Sequence, residues 1–349
     1  MLPEKLIPFI KTGLNNNITI ITGLAGSGKS SVVKGILTVL KNRDFVQVAL
    51  SGRAASRLTE ITGQEGTTIH RTLGFPKGPE NKQKFEFHDE NRLDKDIYIL
   101  DEISTVYLTK IHRQAARSAI VTESIKVRNG EQLTDKEWVG TEIRGELQDL
   151  VLQCYSDKTN TYHRIIEAFK AYQKKEDFNI METQIIVPVK NRGDACTTKL
   201  NIAIQDIVNP RQGQHVQEIY RDGTRFELRV GDKVINRQNN YKATPYIYNG
   251  NMGILRYFDW DEELEEDVMV VDFKAIGFVR IPKKYWGAID LAYAITVHSD
   301  QGSEHDNVIF GLDFASYSLL TRELVYTGIT RARKRCELIA QTSALRIRK

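Results

Sequence analysis

The chain has 349 residues, 41% of them hydrophobic and 27% charged, which is the composition of a globular protein with two or three domains. No apolar run approaches ~18 residues and the first residues lack the layout of a signal peptide, so we expect no transmembrane helix, no membrane partner and a cytoplasmic location. Three scattered cysteines exclude a disulfide framework or a zinc site, and a net charge of +4 permits a nucleic-acid partner without requiring one.

A phosphate-binding loop is the first pattern with chemical content. The β-branched run Asn17–Thr22 predicts a buried strand, and Gly23-x-x-x-x-Gly28-Lys29-Ser30 follows it, before apolar residues at helical spacing. Lys29 would reach the β- and γ-phosphates of ATP, and Ser30 would ligate Mg²⁺. A chance match in a glycine-rich turn is the alternative, and the order of strand, loop and helix argues against it. The predicted ATP-binding residues here are Gly23, Gly26, Ser27, Gly28, Lys29, Ser30 and Ser31.

Two further strands are predicted, at Phe45–Gly52 and at Ile97–Leu100, the latter with buried side chains. Asp101 and Glu102 follow the second of these directly, at the carboxyl edge where open α/β sheets bind ligands. Asp101 is suited to bind Mg²⁺ through a water molecule, and Glu102 to polarise the attacking water. The alternative is an acidic pair that caps the next helix.

Three segments in the middle of the chain are predicted from turn residues and periodicity. Turn residues and an alternating KFEFH predict a small β-hairpin over Thr72–Leu93. Thr141–Asp177 is predicted to be helical. Thr183–Pro210 is predicted to form a strand, a glycine turn and a helix that stops at Asn-Pro.

From about Gln217 to Trp286 the pattern changes to short strands separated by turn signals, among them Asn249-Gly250, and this predicts a small β-barrel. The acidic run DWDEELEED (259–267) is predicted to be a solvated loop. Several polar residues suit DNA phosphates or bases by hydrogen bonding or stacking, and they are equally well explained as turn formers. These residues are Asn236, Asn239, Asn240, Tyr241 and Asn249.

Six motifs in this order resemble those of superfamily 1 helicases of the RecD-like branch. They are GLAGSGKS (motif I), LSGRAASRLTEITGQEGTTIHRTLGF (motif Ia and its continuation), LDEIS (II), LTKIHRQAARSAI (IV), AYAITVHSDQGSEHDNVIF (V) and ELVYTGITRARKRCELIA (VI). The resemblance covers nearly the whole chain. It implies an α/β fold with two RecA-like P-loop NTPase domains, each a parallel sheet flanked by helices, together with an SH3-like β-barrel insertion and a short β-hairpin.

The resemblance also implies limits for these domains. The first RecA-like domain would span residues 1–108 with the hairpin at about 72–93, the second 109–216 and 288–349, and the SH3-like insertion 217–287. ATP would bind between the RecA-like domains and single-stranded DNA would cross both, with movement from 5′ to 3′. The hairpin would separate the strands of a duplex, or it is an ordinary surface hairpin.

Matching positions carry the family's site residues. Arg113 and Arg331 would bring guanidinium groups to the γ-phosphate, which makes Lys29, Glu102, Arg113 and Arg331 the predicted catalytic residues. The residues Gln301, Gly302 and Glu304 would face the nucleotide. The predicted DNA-binding residues are Arg53, Thr68, His70, Asn249, Thr296 and His298.

Motifs V and VI contain two details of their own. Relatives often read HKSQGSE where this chain has Ser299 and Asp300, so a lysine charge is absent and a carboxylate is present beside the predicted DNA contacts. We predict that one helix, TRELVYTGITRARKR, carries both Arg331 and Arg333. Residues two apart do not share a helix face, so only one of the two can face the γ-phosphate, and Arg333 and Lys334 are predicted to be surface charges or backbone caps.

Two features of the family are absent. Relatives have a glutamine before the phosphate loop that reads the adenine base. In this chain no glutamine precedes Gln47, so we expect either relaxed selectivity for the base or an N-terminus that lies further upstream. No GDxxQLP motif follows LDEIS, and Thr105–Ile111 is too short for a crossover and another strand. We therefore predict that chain is missing or deleted between about Ser104 and Thr109.

The motifs together predict an ATP- and Mg²⁺-dependent DNA helicase or translocase that acts on single-stranded or forked DNA. One alternative is a DNA-stimulated ATPase that remodels complexes without unwinding. Another is a non-hydrolysing DNA-binding subunit of a larger nuclease or defence complex, in which a nuclease or another protein would be the partner. A small-molecule kinase would not need motifs V and VI, and no carboxylate cluster of a nuclease stands out.

Overall fold

The structure is a computed structural model, and it describes residues 7, 10, 21, 29–40, 42–74, 85–87, 91, 93–101, 117–135, 137–221, 224–240, 245–274, 276–300 and 303–346. The chain divides into two compact units, Met1–His112 and Arg113–Lys349. None of the helices in these ranges is long and apolar enough to cross a membrane. The finer domain limits implied by the resemblance stay a prediction.

The first unit contains a parallel sheet with helices. Its elements are α1 (Lys29–Val39), β1 (Phe45–Ala49), α2 (Gly52–Thr62), β2 (Gly66–Thr68), α3 (Ile69–Thr72) and β3 (Ile97–Asp101). The strand order is β2–β1–β3, and the two predicted strands that fall here are confirmed as β1 and β3. Of the predicted strand at 17–22, only Ile21 lies within the described residues.

The predicted burial of β3 is wrong for two side chains. Tyr98 is 45% exposed and Leu100 is 48% exposed. Within the described residues β3 pairs with β1 alone, so it forms one edge of this sheet, whereas a parallel strand between two neighbours is covered on both faces. The junction with the predicted missing chain (104–109) and most of the predicted hairpin (72–93) lie outside the described residues.

The second unit contains a larger sheet and an inserted antiparallel sheet. Its strands are β4 (Gly140–Arg144), β5 (Leu150–Tyr155), β6 (Thr183–Val187), β7 (Val216–Arg221), β8 (Thr224–Arg229), β9 (Lys233–Asn236), β10 (Met252–Asp261), β11 (Glu266–Phe273), β12 (Gly277–Pro282), β13 (Ile289–Leu291), β14 (Ala294–Thr296), β15 (His305–Leu312) and β16 (Ala332–Gln341). Its helices are α4 (Ala119–Asn129), α5 (Thr161–Gln173), α6 (Thr197–Val208) and α7 (Arg322–Ile329).

The larger sheet has the order β14–β6–β15–β16–β5–β4, and all its strand pairs are parallel except β4 with β5. Helices cover both faces, because alternate residues of a strand point to opposite sides. Ile185 of β6 belongs to the core cluster that contains α5 and α6 side chains, and Ile186 belongs to the cluster that contains those of α4 and α7. This is the layered α/β arrangement expected of a RecA-like domain.

The predicted helix over Thr141–Asp177 is only partly correct. Its first half forms β4 and β5, and α5 begins at Thr161, where the side chain of Asn160 accepts the backbone N–H of His163. The run LVLQCY lies between β16 and β4 and is largely buried. A short apolar run of this kind has the same sequence pattern in a buried strand and in a buried helix.

The predicted short strands of the insertion are confirmed as β9 to β12. With β13 they form an antiparallel sheet in the order β12–β11–β10–β9–β13, and β7 and β8 form a separate two-stranded ribbon before it. The side chains of this sheet are not a separate core. Val234, Leu255 and Met269 belong to the same buried cluster as Ile165 of α5 and Leu200 of α6.

The prediction that the acidic run (259–267) is a solvated loop is wrong for both of its ends. Strands β10 and β11 extend into it and leave only residues 262–265 as the turn. Arg280 of β12 forms ion pairs with Asp259 and Asp261, and Lys283 forms one with Asp267. Cross-strand pairing with these basic residues compensates the acidic side chains, which composition alone did not indicate.

A buried lysine connects the insertion to the larger sheet. Lys233, at the start of β9, is fully buried, and its ammonium group donates three hydrogen bonds. The acceptors are the carbonyl oxygens of Ile180 (2.8 Å) and Thr183 (3.0 Å) and Oε1 of Gln184 (2.9 Å). The amide of Gln184 in turn donates to the carbonyl oxygens of Ala292 and Tyr293, where the chain leaves the insertion.

We predict that Lys233→Met lowers the free energy of unfolding of the second unit by about 3 kcal/mol, because three buried acceptors lose a charged donor. Urea denaturation measures the effect. Lys283→Met is the matched control, since Lys283 pairs with Asp267 at an exposed position and its loss should cost less than about 1 kcal/mol. Equal losses in the two variants would contradict a connecting role for Lys233.

Candidate functional site

The phosphate loop is described only where its helix begins. Helix α1 starts at Lys29, directly after the predicted glycine loop, and it buries Val32 and Leu37. The backbone of Lys29 and Ser30 is helical, their side chains are not described, and Ser31 is half-buried. The remaining predicted loop residues lie outside the described residues, namely Gly23, Gly26, Ser27 and Gly28.

The carboxyl edge of the first sheet brings two predicted sites together. Register aligns Thr68 of β2, Ala49 of β1 and Asp101 of β3 in one row at the ends of the strands. The predicted metal-binding residue and a predicted DNA-binding residue are therefore two strands apart at the edge where α/β sheets bind ligands. The side chain of Asp101 is not described, and Glu102 lies outside the described residues.

Helix caps occupy this edge as well. Ser51 caps α2, because its hydroxyl accepts the backbone N–H of Ala54 at 3.2 Å, and this places Arg53 in the first turn of the helix. Thr68 is 4% exposed and its hydroxyl accepts the backbone N–H of Arg71, so it caps α3. His70 is exposed, and its ring lies 5.8 Å from that of Phe85. Of these candidates His70 is open to a ligand, while the hydroxyl of Thr68 serves the helix.

The predicted arginine of motif VI is held by backbone carbonyl groups. Nε of Arg331 donates to the carbonyl oxygen of Thr327 at 3.0 Å, and Nη1 donates to that of Ser303 at 2.9 Å. The second bond joins Arg331 to motif V, where Glu304 is half-buried. Gln301 and Gly302 lie outside the described residues, as does the other predicted arginine, Arg113.

The prediction that one helix carries Arg331 and Arg333 is wrong. Helix α7 ends at Ile329, β16 begins at Ala332, and Arg331 lies in the turn between them. The carboxyl end of α7 is closed by Thr330, whose hydroxyl donates to the carbonyl oxygen of Tyr326. Arg331 lies in a turn and Arg333 lies in β16, so neither arginine is on a helix, and the two point into different surroundings because the backbone changes from turn to strand.

Arg333 is a surface charge, as predicted, with acidic partners. It forms ion pairs of 2.7 Å with Glu182 and with Asp306, and Lys334 forms one with Asp306. Burial raises the pKa of Asp306, but the hydrogen bond from Lys334 and the charge of Arg333 outweigh burial and hold that pKa below its usual value.

The predicted DNA contacts of motif V lie at the end of β14. Thr296 is half-buried and pairs with Val187, the last residue of β6, and its hydroxyl donates to that of Ser299 at 2.9 Å. His298 is exposed in the turn that follows. Where relatives often have a lysine, this chain therefore has a serine that is paired with the predicted DNA-binding threonine.

The asparagines of the insertion differ in exposure. Asn236 and Asn240 are buried, and Asn236 donates to the carbonyl oxygen of Tyr248 at 2.9 Å, so these two hold the 236–251 loop together. Asn249 is exposed, and Oδ1 of Asn239 accepts its backbone N–H. The turn-forming explanation is correct for the buried pair, Asn249 remains a candidate for DNA contact, and Tyr241 lies outside the described residues.

A polar cleft within the second unit was not predicted. It opens between the first turn of α6 and the insertion, and Asn201 of α6 fixes it beside β14 through two hydrogen bonds to the backbone of Ala294. The residues around it are Lys190, Asn191, Thr197, Thr198, Asn201, Ile202, Phe226, Arg237, Asp290 and Leu291. The signal in the sequence was the run VKNRG directly after a buried strand, but Arg237 is distant in the chain and only folding brings it close.

Three family models match separate parts of the chain. They are an AAA domain over residues 8–122, an ATP-dependent RecD-like DNA helicase SH3 domain over 200–273, and a UvrD-like helicase C-terminal domain over 291–339. Their order is the order of the motifs. Together with the motifs, these matches make the chain similar to helicases of the RecD-like branch of superfamily 1.

Curated proteins similar to this chain include an ATP-dependent RecD2 DNA helicase from Deinococcus radiodurans, 27% identical over 95% of this chain and 48% of the relative. A RecBCD enzyme subunit RecD from Mycolicibacterium smegmatis is 24% identical over 96% of this chain and 70% of the relative. The chain thus spans about half the length of the Deinococcus protein. That alignment runs over 386 positions, more than the 349 residues here, so the relative has residues without a counterpart in this chain.

Solved structures with the same fold include Pif1 helicases. One is described as the structural basis for DNA unwinding at forked double-stranded DNA by two coordinating Pif1 helicases, with a TM-score of 0.53 and 18% identity, covering 100% of this chain and 95% of that one. The Pif1 helicase from Candida albicans has a TM-score of 0.52 and 13% identity, covering 97% of this chain and 94% of that one. At these identities the likeness establishes the fold.

We predict that Arg331→Ala lowers kcat for ATP hydrolysis about 10³-fold, because the γ-phosphate loses a guanidinium in the transition state. Steady-state ATPase assays with single-stranded DNA measure it. Arg333→Ala removes the same charge two residues away, breaks only half-exposed ion pairs, and should change kcat less than about twofold. Similar losses in both variants would contradict the assignment of Arg331.

Proposed function

We propose that this protein is an ATP-dependent DNA helicase that couples Mg²⁺-ATP hydrolysis to 5′ to 3′ movement along single-stranded DNA. Support comes from the family matches and from the Deinococcus relative, whose name gives both ATP dependence and DNA helicase activity. Among the proteins with this fold is one whose structure concerns unwinding of forked DNA.

The observation that carries the proposal is the path of motif V across the larger sheet. Thr296 lies level with Val187 at the carboxyl end of β6, whereas His305 pairs with Ala332 before the amino end of β6. The two ends of this segment are about 20 Å apart along the strand direction. One end carries predicted DNA-binding residues and the other contacts Arg331, so a single segment can transmit a change at the nucleotide to the DNA.

Each predicted residue has a defined task at the nucleotide. Lys29 would bind the β- and γ-phosphates, and Ser30 and Asp101 would hold Mg²⁺, which neutralises phosphate charge when bound. The start of α1 at Lys29 and the position of Asp101 at the end of β3 fit this role, because both lie where P-loop proteins place them. Glu102 would polarise the attacking water, and Arg113 and Arg331 would stabilise the transition state.

The DNA would pass the carboxyl end of the larger sheet. Strand β14 ends there at Thr296, with His298 two residues further on, and the polar cleft next to them offers Lys190 and Arg237 to a phosphodiester backbone. Arg237 forms an ion pair of 3.5 Å with Asp290, which fixes its side chain at the wall of the cleft. Electrostatic contact of this kind is independent of base sequence, as a translocating enzyme requires.

The central test is ATP hydrolysis with and without single-stranded DNA. Hydrolysis should rise at least about tenfold with DNA in the wild type, and Lys29→Ala should lower kcat about a hundredfold or more, because a preorganised cation at the phosphates is lost. A nucleotide-independent measurement of DNA binding, by fluorescence anisotropy, controls for folding of the variant. Absence of any stimulation by DNA would overturn the motor assignment.

Forked duplexes with one 5′ or one 3′ tail then separate the alternatives. We expect strand separation with the 5′-tailed substrate alone. Stimulated hydrolysis without separation of either substrate would favour a remodelling ATPase. Tight DNA binding without hydrolysis would favour a non-hydrolysing subunit of a larger complex. The relatives named RecBCD enzyme subunit RecD support membership of a complex only.

We predict that Lys190→Ala weakens binding of single-stranded DNA about three- to tenfold and lowers the salt dependence of binding by about one counterion. Fluorescence anisotropy at several salt concentrations measures both. Lys199→Ala is the control for net charge, because Lys199 lies nine residues away in α6, is not among the cleft residues and pairs with Asp194. An equal effect of the two substitutions would show that only the net charge of this region matters.

A further inference from the structure

A buried pair of titratable side chains closes motif V. Asp300 is fully buried and His305 is 5% exposed, and Nε2 of His305 lies 3.0 Å from Oδ1 of Asp300. The two residues flank the positions predicted to face the nucleotide. We call Asp300 and His305 the motif V clasp.

The clasp involves a departure from the pattern of the relatives. Their HKSQGSE has a serine where this chain has Asp300. A carboxylate without access to water is strongly unfavourable unless a donor compensates it, and the imidazole of His305 supplies one. His305 is only five residues from Asp300 in the chain. The hydrogen bond between them therefore also fixes the distance between these two positions of motif V.

The clasp is connected to the predicted catalytic arginine by three hydrogen bonds. The backbone N–H of Ser303 donates to the carbonyl oxygen of Asp300 at 3.1 Å, and that of His305 donates to the carbonyl oxygen of Arg331 at 2.8 Å. Nη1 of Arg331 donates to the carbonyl oxygen of Ser303. Both the backbone and the guanidinium of Arg331 are thus anchored on the segment that Asp300 and His305 hold.

We propose that Asp300 and His305 are positioning residues for the nucleotide site, which set the guanidinium of Arg331 through the carbonyl group of Ser303. Neither residue needs to touch the nucleotide. The inference rests on the proposed function, because it assumes that Arg331 acts on the γ-phosphate. A displacement of about 1 Å at such a group costs up to about a hundredfold in rate, so a short clasp can control catalysis without contact.

The test compares Asp300→Ala, His305→Ala, the double variant and Asp300→Asn in the full chain. Each alanine variant should lower kcat for DNA-stimulated hydrolysis about 10- to 100-fold and leave KM for ATP within about threefold. The double variant should be no worse than either single variant, because both remove one interaction. Asp300→Asn retains a hydrogen-bond partner for His305 and should restore most of the rate.

A second measurement separates positioning from stability. The wild type should bind ADP–aluminium fluoride, which resembles the transition state, more tightly than ADP, and the clasp variants should lose that preference while they keep their affinity for ADP. Ser316→Ala is the matched control. It removes a buried hydrogen bond of 3.0 Å to Asp313 just after the other end of β15, so it should lower stability and leave the preference unchanged.

The outcomes distinguish the two levels of the proposal. A wild type that neither binds nor hydrolyses ATP would remove the proposed function and this inference with it. A wild type with full activity, together with clasp variants that behave like Ser316→Ala, would overturn the positioning role alone. A rise in KM at unchanged kcat would also overturn it, because it would show loss of ground-state binding.

Discussion

A buried lysine and its neighbour hold the second unit together. Lys233 donates toward the start of β6, while Asp232 accepts hydrogen bonds from Gln205 of α6, from Asn209 directly after that helix and from the hydroxyl of Tyr293. The chain enters the insertion after α6 and leaves it at β13. The hydrogen bonds of Lys233 and Asp232 therefore hold both connections between the insertion and the larger sheet. Buried charges destabilise a fold unless their hydrogen bonds are satisfied, and here they are satisfied by the two elements that must stay together. The polar cleft has fixed walls for the same reason, because Arg237 directly follows β9 and Asp290 lies in β13.

Motif V runs from the carboxyl end of one strand of the larger sheet to the amino end of another. Its first residues end β14 beside the cleft, and its last residues form β15, on the other side of β6, which begins beside Arg331. A parallel sheet requires such a return across its length, because each strand must start at the same edge as the one before. In this chain the return carries predicted DNA-binding and nucleotide-binding residues together with the clasp. The return that the sheet requires is therefore the place at which we propose that hydrolysis and movement are linked.

In the described part of the first unit the sheet ends at β3, and all of the predicted strand at 17–22 except Ile21 lies outside the described residues. Tyr98 and Leu100 are about half exposed on β3. The Deinococcus relative has residues without a counterpart here, which agrees with the prediction that chain is missing between about Ser104 and Thr109. The resemblance gives the absent motif a glutamine that joins the γ-phosphate to DNA, and motif V is the connection that we propose for this chain.

The sequence by itself determined the similarity to RecD-like helicases, the helix that begins at Lys29 and the strands of the insertion, and it predicted Arg331 as the arginine of motif VI. These are local patterns, in which spacing along the chain sets both conformation and chemistry. Only the tertiary structure decided that Asn236 and Asn240 hold a loop, that LVLQCY is a strand, that Arg331 lies in a turn and that Asp300 meets His305. Burial and pairing across the fold decide such matters, and they depend on neighbours that are distant in sequence or, for Asp300 and His305, on a loop geometry that the sheet imposes.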